Sequence, residues 1–403
     1  MTVRTLALGL GALATQLTWA TYNVYLPLLY GRFVESNARI GLVMVLDDAT
    51  AVLLGPWFAT LSDRTATGWG RRIPFLAAGM PLAALCFSLI PRATGLGPLL
   101  AATALMNLAL AAAAAPMMAL MPDITPQPYR GRATGIINAL AGCGAMLAFF
   151  ALAPASRILP TLPFHGASLA MLAALAAIVL TIRERRDAVA GRAEARCPRP
   201  GGSGWWRGVV AVGREVRRHR ALLLLAVLGF CAVAALNGVQ NMFTRFGVHR
   251  LGLDAAGAAG LLGVFVLTFI AAAVPAGAVG DRFGRVRALR AGLAGTVGAF
   301  LLAHAAQAPG PLTAALLLGG LAWALFLTNA YPVLLELIPA RRVGLYSGLW
   351  GATGALGGLV APPLYGWVVD RWGFGVFFVP GVALTVLALA CGLALGGAAA
   401  RQP

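Results

Sequence analysis

The sequence predicts an all-α membrane protein of twelve transmembrane helices arranged as two pseudo-symmetric six-helix bundles. Three observations predict it: composition, a succession of apolar runs, and an internal repeat. Of 403 residues, 60% are apolar and 11% charged, and the mean hydropathy is +0.82. A water-soluble core cannot hide that much apolar surface.

Runs long enough to span a bilayer lie near 6–30, 38–61, 73–91, 97–121, 132–154 and 166–182, then 220–246, 254–280, 288–307, 310–335, 344–369 and 374–397. The first run follows a basic residue as a signal peptide would. It stays apolar for about 25 residues and lacks an Ala-x-Ala-like cleavage site, so it reads as a retained helix.

The formal charge is +18, and all 31 basic residues are Arg. A basic chain suggests nucleic acid, but these Arg sit in short stretches between apolar runs, so no nucleic-acid partner is expected. Placing both termini in the cytoplasm puts 24 Arg inside and seven outside. The positive-inside rule then predicts a multi-pass protein of the inner (plasma) membrane in that orientation. Cys86, Cys143, Cys197, Cys231 and Cys391 lack metal-ligand spacing and read as small hydrophobes. The four His lie near span ends or in loops, with no Ser/His/Asp set, so neither an enzyme nor a cofactor or metal is expected. No Gly-Lys-Ser loop suggests drive by ATP.

Eleven Arg fall between 183 and 220, around Pro198, Pro200 and Gly201-Gly202-Ser203-Gly204. That composition is a hydrated linker, dividing the chain into bundles 1–182 and 220–403 joined by 183–219. Within it, Trp205 to His219 places Val209, Val212 and Val216 on one helical face. It reads either as an amphipathic helix on the inner leaflet or as a plain loop. Across the linker, Asp123, Pro126, Gly131 and Gly135 recur 213 residues later as Glu336, Pro339, Gly344 and Gly348; Asn23, Asp63 and Arg64 recur 218 later as Asn241, Asp281 and Arg282. Aligned charges and prolines at loop positions make two homologous halves.

Asp63 and Asp281 fall where spans 2 and 8 reach the cytoplasm, and spans 11 and 5 start at Gly344 and Gly131, with free amides suited to an anion. Together with Arg64, Arg71, Arg72, Asp123 and Arg130, and with Arg282, Arg285, Glu336 and Arg341, they predict a cytoplasmic gate that latches the halves. Topology-setting charge is the alternative. Gly131, Gly135, Gly142 and Gly144, then Gly344, Gly348, Gly351, Gly354 and Gly358, predict close helix packing.

Asp47 and Asp48 are the sharpest lead. They lie about eight residues into span 2, roughly 12 Å from its outer end. An Asp there costs about 2.5–3.5 kcal/mol on insertion scales, so the pair predicts a proton or cation coupling site. A structural hydrogen bond to a neighbouring helix is the alternative.

The connection after span 2 reads Leu61-Ser62-Asp63-Arg64, then Gly70-Arg71-Arg72-Ile73-Pro74-Phe75; the one after span 8 reads Gly277-Ala278-Val279-Gly280-Asp281-Arg282-Phe283-Gly284-Arg285. The pair resembles the cytoplasmic signature of the major facilitator superfamily, over nearly the whole chain, with Ala59 where the first signature usually has Gly. Gly41 to Asp47, Ala119-Leu120-Met121-Pro122-Asp123 and Gly131-Arg132-Ala133-Thr134-Gly135-Ile136-Ile137-Asn138 resemble the sucrose-transporter-like branch and the glycoside, pentoside and hexuronide cation symporters. The resemblance implies a sugar or glycoside moved with protons or sodium, and it favours Asp47 as the cavity-facing carboxylate. It departs at Asp48, often Asn in that branch, and at Ala114, often Arg, which points to altered substrate or coupling.

In that superfamily spans 1, 4, 7 and 10 line a central cavity. Here they carry Gln16, Trp19, Tyr22 and Asn23; Asn107; Asn237, Gln240 and Asn241; Trp323 and Asn329. Amides that donate and accept, beside rings that stack, suit a polyhydroxylated solute, although any single Asn serves equally as interhelical glue. The expected protein is a monomer in the lipid bilayer that moves a small polar solute by proton- or cation-coupled alternating access. An efflux antiporter for an amphipathic drug or metabolite, and a non-transporting membrane sensor, are the alternatives.

Overall fold

The computed structural model describes residues 2–184, 220–306, 308–338 and 343–399. Among them there is no strand. In chain order the helices are α1 (Thr2–Tyr30), α2 (Asn37–Met44), α3 (Leu46–Arg64), α4 (Ile73–Leu89), α5 (Leu96–Ile124), α6 (Arg130–Leu147), α7 (Ala153–Ala155) and α8 (Leu162–Thr181). After the linker come α9 (Arg220–Leu251), α10 (Ala255–Phe283), α11 (Arg285–Ala305), α12 (Pro309–Leu337), α13 (Val343–Trp372) and α14 (Val379–Ala399).

Eleven spans among the described residues are long and apolar enough to cross a membrane. Helix α1, with 29 residues, matches them in length, and its Gln16, Trp19, Tyr22 and Asn23 hold its hydropathy down. The chain is a multi-pass membrane protein. Span 2 is not one continuous helix: a turn at Val45 separates α2 from α3. Span 5 runs through a π-helical turn at Ala148–Leu152 before α7.

The helices form two compact units. So far as their ranges are described, one comprises Met1–Glu35, Val43–Arg196 and Asp254–Gly263, and the other Ser36–Leu42, Cys197–Leu253 and Val264–Pro403. In the first, α1 packs on α6 and α8, and α4 on α5 and α8. In the second, α9 packs on α13 and α14, and α11 on α12 and α14. The same scheme is used twice.

Close backbone approaches recur in both units. Lipid tails are as apolar as Leu, so helices here associate by close van der Waals fit, and small residues set the approach. A Cβ on Gly79 would stand 2.6 Å from the Ala109 carbonyl, and one on Gly292 would stand 2.7 Å from that of Ala322; both pairs are related by 213 positions. Gly144 closes on the Leu13 backbone, and Gly357, again 213 residues on, closes on Phe230 and Ala234. The expected glycine packing holds at Gly144. At Gly131, Gly135, Gly348, Gly351 and Gly354 no described atom beyond the glycine's chain neighbours and its own helix backbone lies within 4 Å of the Cβ position, which corrects the reading of those glycines as packing positions within a unit.

In the first unit Arg157 grips Asp254 with two hydrogen bonds, at 2.6 and 3.1 Å, and Asp254 also accepts the Gly257 amide at 2.9 Å, capping α10. The Arg157 hydrogen bonds hold the Asp254 carboxyl below the usual carboxylate range. A depressed carboxylate contributes stability above its unfolded value of about 3.9 and loses it as pH falls through the folded value. Hydrogen exchange at the Gly257 amide is therefore expected to show no change in protection between about pH 5 and 8, once intrinsic rates are removed, and a loss only in stronger acid. A transition near neutrality would contradict this assignment.

Candidate functional site

The break in span 2 determines where the acidic pair stands. Asp47 and Asp48 occupy the first turn of α3, where acidic side chains face the positive end of the helix dipole. Asp47 Oδ1 accepts the Asp48 amide at 2.8 Å, and the Ala49 amide bonds the Val45 carbonyl at 2.9 Å. Both carboxylates are half-buried.

Asp47 lines a cavity of about 60 Å³ within the first unit; Asp48 is not among its walls. Thr15 and Trp19 of α1 and Asn107 of α5 supply the other polar walls, while Ala51, Met80, Leu110, Ala111, Ala113, Ala114 and Met117 supply apolar ones. Buried Tyr22 accepts a long hydrogen bond, 3.5 Å, from Asn107 Nδ2, and its ring stands edge-on to Trp19 with centroids 5.3 Å apart. The structure thus brings Asp47, Trp19, Tyr22 and Asn107 together. Asn107 Oδ1 and Asn23 Oδ1 are buried with no hydrogen-bond partner among the described residues. Gln16 is exposed and is not part of the cavity wall.

In the second unit the expected substrate amides are mostly engaged within the protein. Asn237 Nδ2 donates to the Val233 carbonyl at 3.1 Å, and Asn241 Nδ2 to that of Asn237 at 3.0 Å. Asn329 is buried and donates to Leu325 at 2.9 Å and across to Ala276 at 3.2 Å, joining α12 to α10. Trp323 is buried against Phe326, centroids 4.9 Å apart. Gln240 is half-buried. For Asn329 and Trp323 the contacts are those of interior packing.

The charges expected at the gate pair within each unit. Arg72, with a side chain 7% exposed, meets Asp63 Oδ1 at 2.5 Å and Asp123 Oδ2 at 3.3 Å, and also bonds Ser62 Oγ. Arg71 reaches Asp123 at 3.3 Å, and Arg130 donates to the Thr125 and Pro122 carbonyls at 3.2 and 3.4 Å. In the second unit Arg285 bridges Asp281 at 3.1 Å and Glu336 at 3.2 Å, while Arg282 stacks over Phe283 at 5.4 Å. Asp63, Arg72 and Asp123 recur as Asp281, Arg285 and Glu336: one Arg at a helix start ties together the acidic ends of two neighbours. Arg64 is exposed at the end of α3. Arg341, Pro339, Cys197 and the Trp205 to His219 segment lie outside the described residues.

Glu184, read from sequence as linker, belongs to this cluster. Its buried carboxylate accepts the Arg72 amide at 2.8 Å and the Ile73 amide at 3.3 Å, capping α4. Gly70 makes the approach possible. Its φ is +115°, and a Cβ there would collide with Glu184. Removing one partner of a buried ion pair costs about 3–5 kcal/mol, whereas an exposed pair is worth roughly 0–1. Arg72→Met is therefore expected to lower the thermal midpoint in detergent sharply, and Arg71→Ala, at a side chain 48% exposed, only slightly. Equal shifts would contradict the assignment.

A second cluster that sequence reading missed lies in the second unit. Asp370, near the end of α13, accepts four hydrogen bonds: from Ser36 Oγ at 2.7 Å, the Asn37 amide at 2.7 Å, Asn37 Nδ2 at 2.8 Å and the Ala38 amide at 2.9 Å. It caps the first turn of α2. Buried Arg245 donates to Asn37 Oδ1 at 2.8 Å. The backbones come close enough that a Cβ on Gly366 would collide with the Asn37 carbonyl, and one on Gly41 with that of Pro362.

A family model described as Major Facilitator Superfamily matches residues 8–270 and 248–401. No curated protein matches the sequence significantly. Among solved structures, a variant of the nucleoside transporter NupG superposes with a TM-score of 0.78 at 13% identity, over 97% of this chain and 99% of that one. The peptide transporter POT in complex with sulfate gives 0.73 at 16%, over 99% and 94%. A bacterial homolog of the human lysosomal transporter Spinster gives 0.71 at 16%, over 98% and 94%. At these identities the likeness is one of fold.

Proposed function

Because this chain belongs to the Major Facilitator Superfamily, we propose that it is a secondary active transporter, moving a small polar solute by proton- or cation-coupled alternating access. The observation that carries the reading is Asp47: a carboxylate on the wall of a largely apolar cavity among spanning helices. A carboxylate so placed is expensive on insertion and changes charge with one proton, which is what coupling to an ion gradient requires. Asp47 is the coupling group, and Asp48 supports it from the same helical turn.

Trp19, Tyr22 and Asn107 form the solute-facing polar wall of the first unit. The motif resemblance supports a sugar or glycoside as the solute. The Asp63/Arg72/Asp123 and Asp281/Arg285/Glu336 clusters serve as the cytoplasmic gate, in the orientation the Arg distribution favours, with both termini on the cytoplasmic face of the inner (plasma) membrane. A second reading, efflux antiport of an amphipathic metabolite, is favoured by Ala114 and the other apolar walls of the cavity.

The test is uptake of labelled sucrose, a β-glucoside and a hexuronide into proteoliposomes under an imposed pH or sodium gradient. Gradient-dependent accumulation of one of them supports the sugar reading. Failure of all three, with gradient-driven movement of an amphipathic probe, replaces it with efflux.

A further inference from the structure

The Asp47 cavity is small and poor in donors. Asp47 is the one charged residue among its described walls, and seven apolar side chains complete it. Thr15 donates its proton to the Gly11 carbonyl at 2.9 Å, leaving lone pairs. Asn107 is 2% exposed, its amide nitrogen is turned to Tyr22, and its Oδ1 has no partner among the described residues. A buried acceptor without a donor is costly, and so is a carboxylate without a counter-charge.

We propose that this cavity takes the ammonium head, primary or N-methylated, of an organic cation that the protein carries. The inference rests on the transporter reading above and narrows its polar solute to one bearing a basic nitrogen. Size agrees: a cavity of about 60 Å³ has room for a head group of a few heavy atoms. The ammonium N–H groups meet Asp47 and Asn107 Oδ1, satisfying both orphaned needs at once. The Trp19 ring offers a cation–π surface, and Met80 and Met117 are polarizable walls suited to methyl or methylene groups.

The test is binding of n-butylammonium to the full chain in lipid nanodiscs by titration calorimetry, with 1-butanol as the neutral isostere and sodium chloride as competitor. Butylammonium is expected to bind at least about tenfold more tightly than butanol, and Asp47→Asn to remove about that factor. Asn107→Leu weakens binding several-fold, while Glu35→Gln, at an exposed site, leaves it unchanged. Should Asp47→Asn fail to fold by size exclusion and circular dichroism, the isostere comparison and Asn107→Leu on folded protein decide. Equal affinity for butanol, indifference to both substitutions, or stoichiometric displacement by sodium would overturn the proposal, the last assigning the cavity to a metal ion. If butylammonium fails to bind while gradient-driven transport of another solute persists, the ammonium site falls and the transporter reading stands.

Discussion

Replacing Asp47 by Asn is expected to leave a folded, inserted protein that no longer concentrates its solute. The substitution keeps the shape of the side chain and removes both its charge and its titratable proton. Since the carboxylate lines the cavity beside Asn107 and Trp19, the group that links ion to solute is lost, while the packing of α3 against α5 is not. Coupling free energies of 1–3 kcal/mol correspond to roughly 5- to 150-fold, and gradient-driven accumulation is expected to fall by that much. Downhill exchange of solute persists to a greater degree. Asp48→Asn has the smaller effect, because Asp48 does not reach the cavity wall. The measurement is uptake with and without a gradient; full accumulation by Asp47→Asn would remove Asp47 from the mechanism.

Asp370→Ala is expected to release the first turn of α2. Four donors converge on that carboxylate, two of them backbone amides that would otherwise lack a helical partner. Hydrogen bonds to a charged group contribute about 1.5–3 kcal/mol each, non-additively. Exchange at the Asn37 and Ala38 amides is therefore expected to speed by roughly 30-fold, equivalent to about 2 kcal/mol for one such bond. Asp370→Asn, which keeps the shape and one acceptor, falls between. The readout is hydrogen exchange by mass spectrometry across 36–42, with α4 as an internal reference. Unchanged protection in Asp370→Ala would mean that the close packing of Gly41 and Gly366 holds the segment without the carboxylate.

Most of the fold was legible because it follows from apolar length and from a repeat that each half expresses independently. The 213-residue offset read from Asp123 and Glu336 also relates Gly79 to Gly292 and Gly144 to Gly357, each at a close backbone approach. The Gly70-Arg71-Arg72 motif was legible as chemistry, and the structure adds why its Gly is there. Other features leave no local trace. The break at Val45 falls between Met44 and Leu46, with neither Gly nor Pro to mark it. Glu184 follows the last apolar residue of span 6 and reads as the start of a basic linker. Asp370 sits where any topology-setting charge would sit, and its four donors come from a segment more than 330 residues away. The amides show the limit most plainly. Asn107 and Asn329 look alike in sequence, yet Asn329 is engaged by Ala276 and Leu325 while Asn107 keeps a buried acceptor at a cavity.

The central claim, that the chain is a coupled transporter working through Asp47, is tested most directly by flux in proteoliposomes holding the wild-type chain. Labelled β-glucoside and labelled butylammonium serve as probes, under an imposed pH or sodium gradient, with and without an ionophore that collapses it, and protein-free liposomes set the baseline because the neutral amine crosses lipid unaided. The expected result is that one probe moves beyond the protein-free baseline when a gradient is present, returns to that baseline when the gradient is collapsed, and stays near it in Asp47→Asn. Movement that is protein-dependent but indifferent to both gradients, in wild type and Asp47→Asn alike, would contradict it.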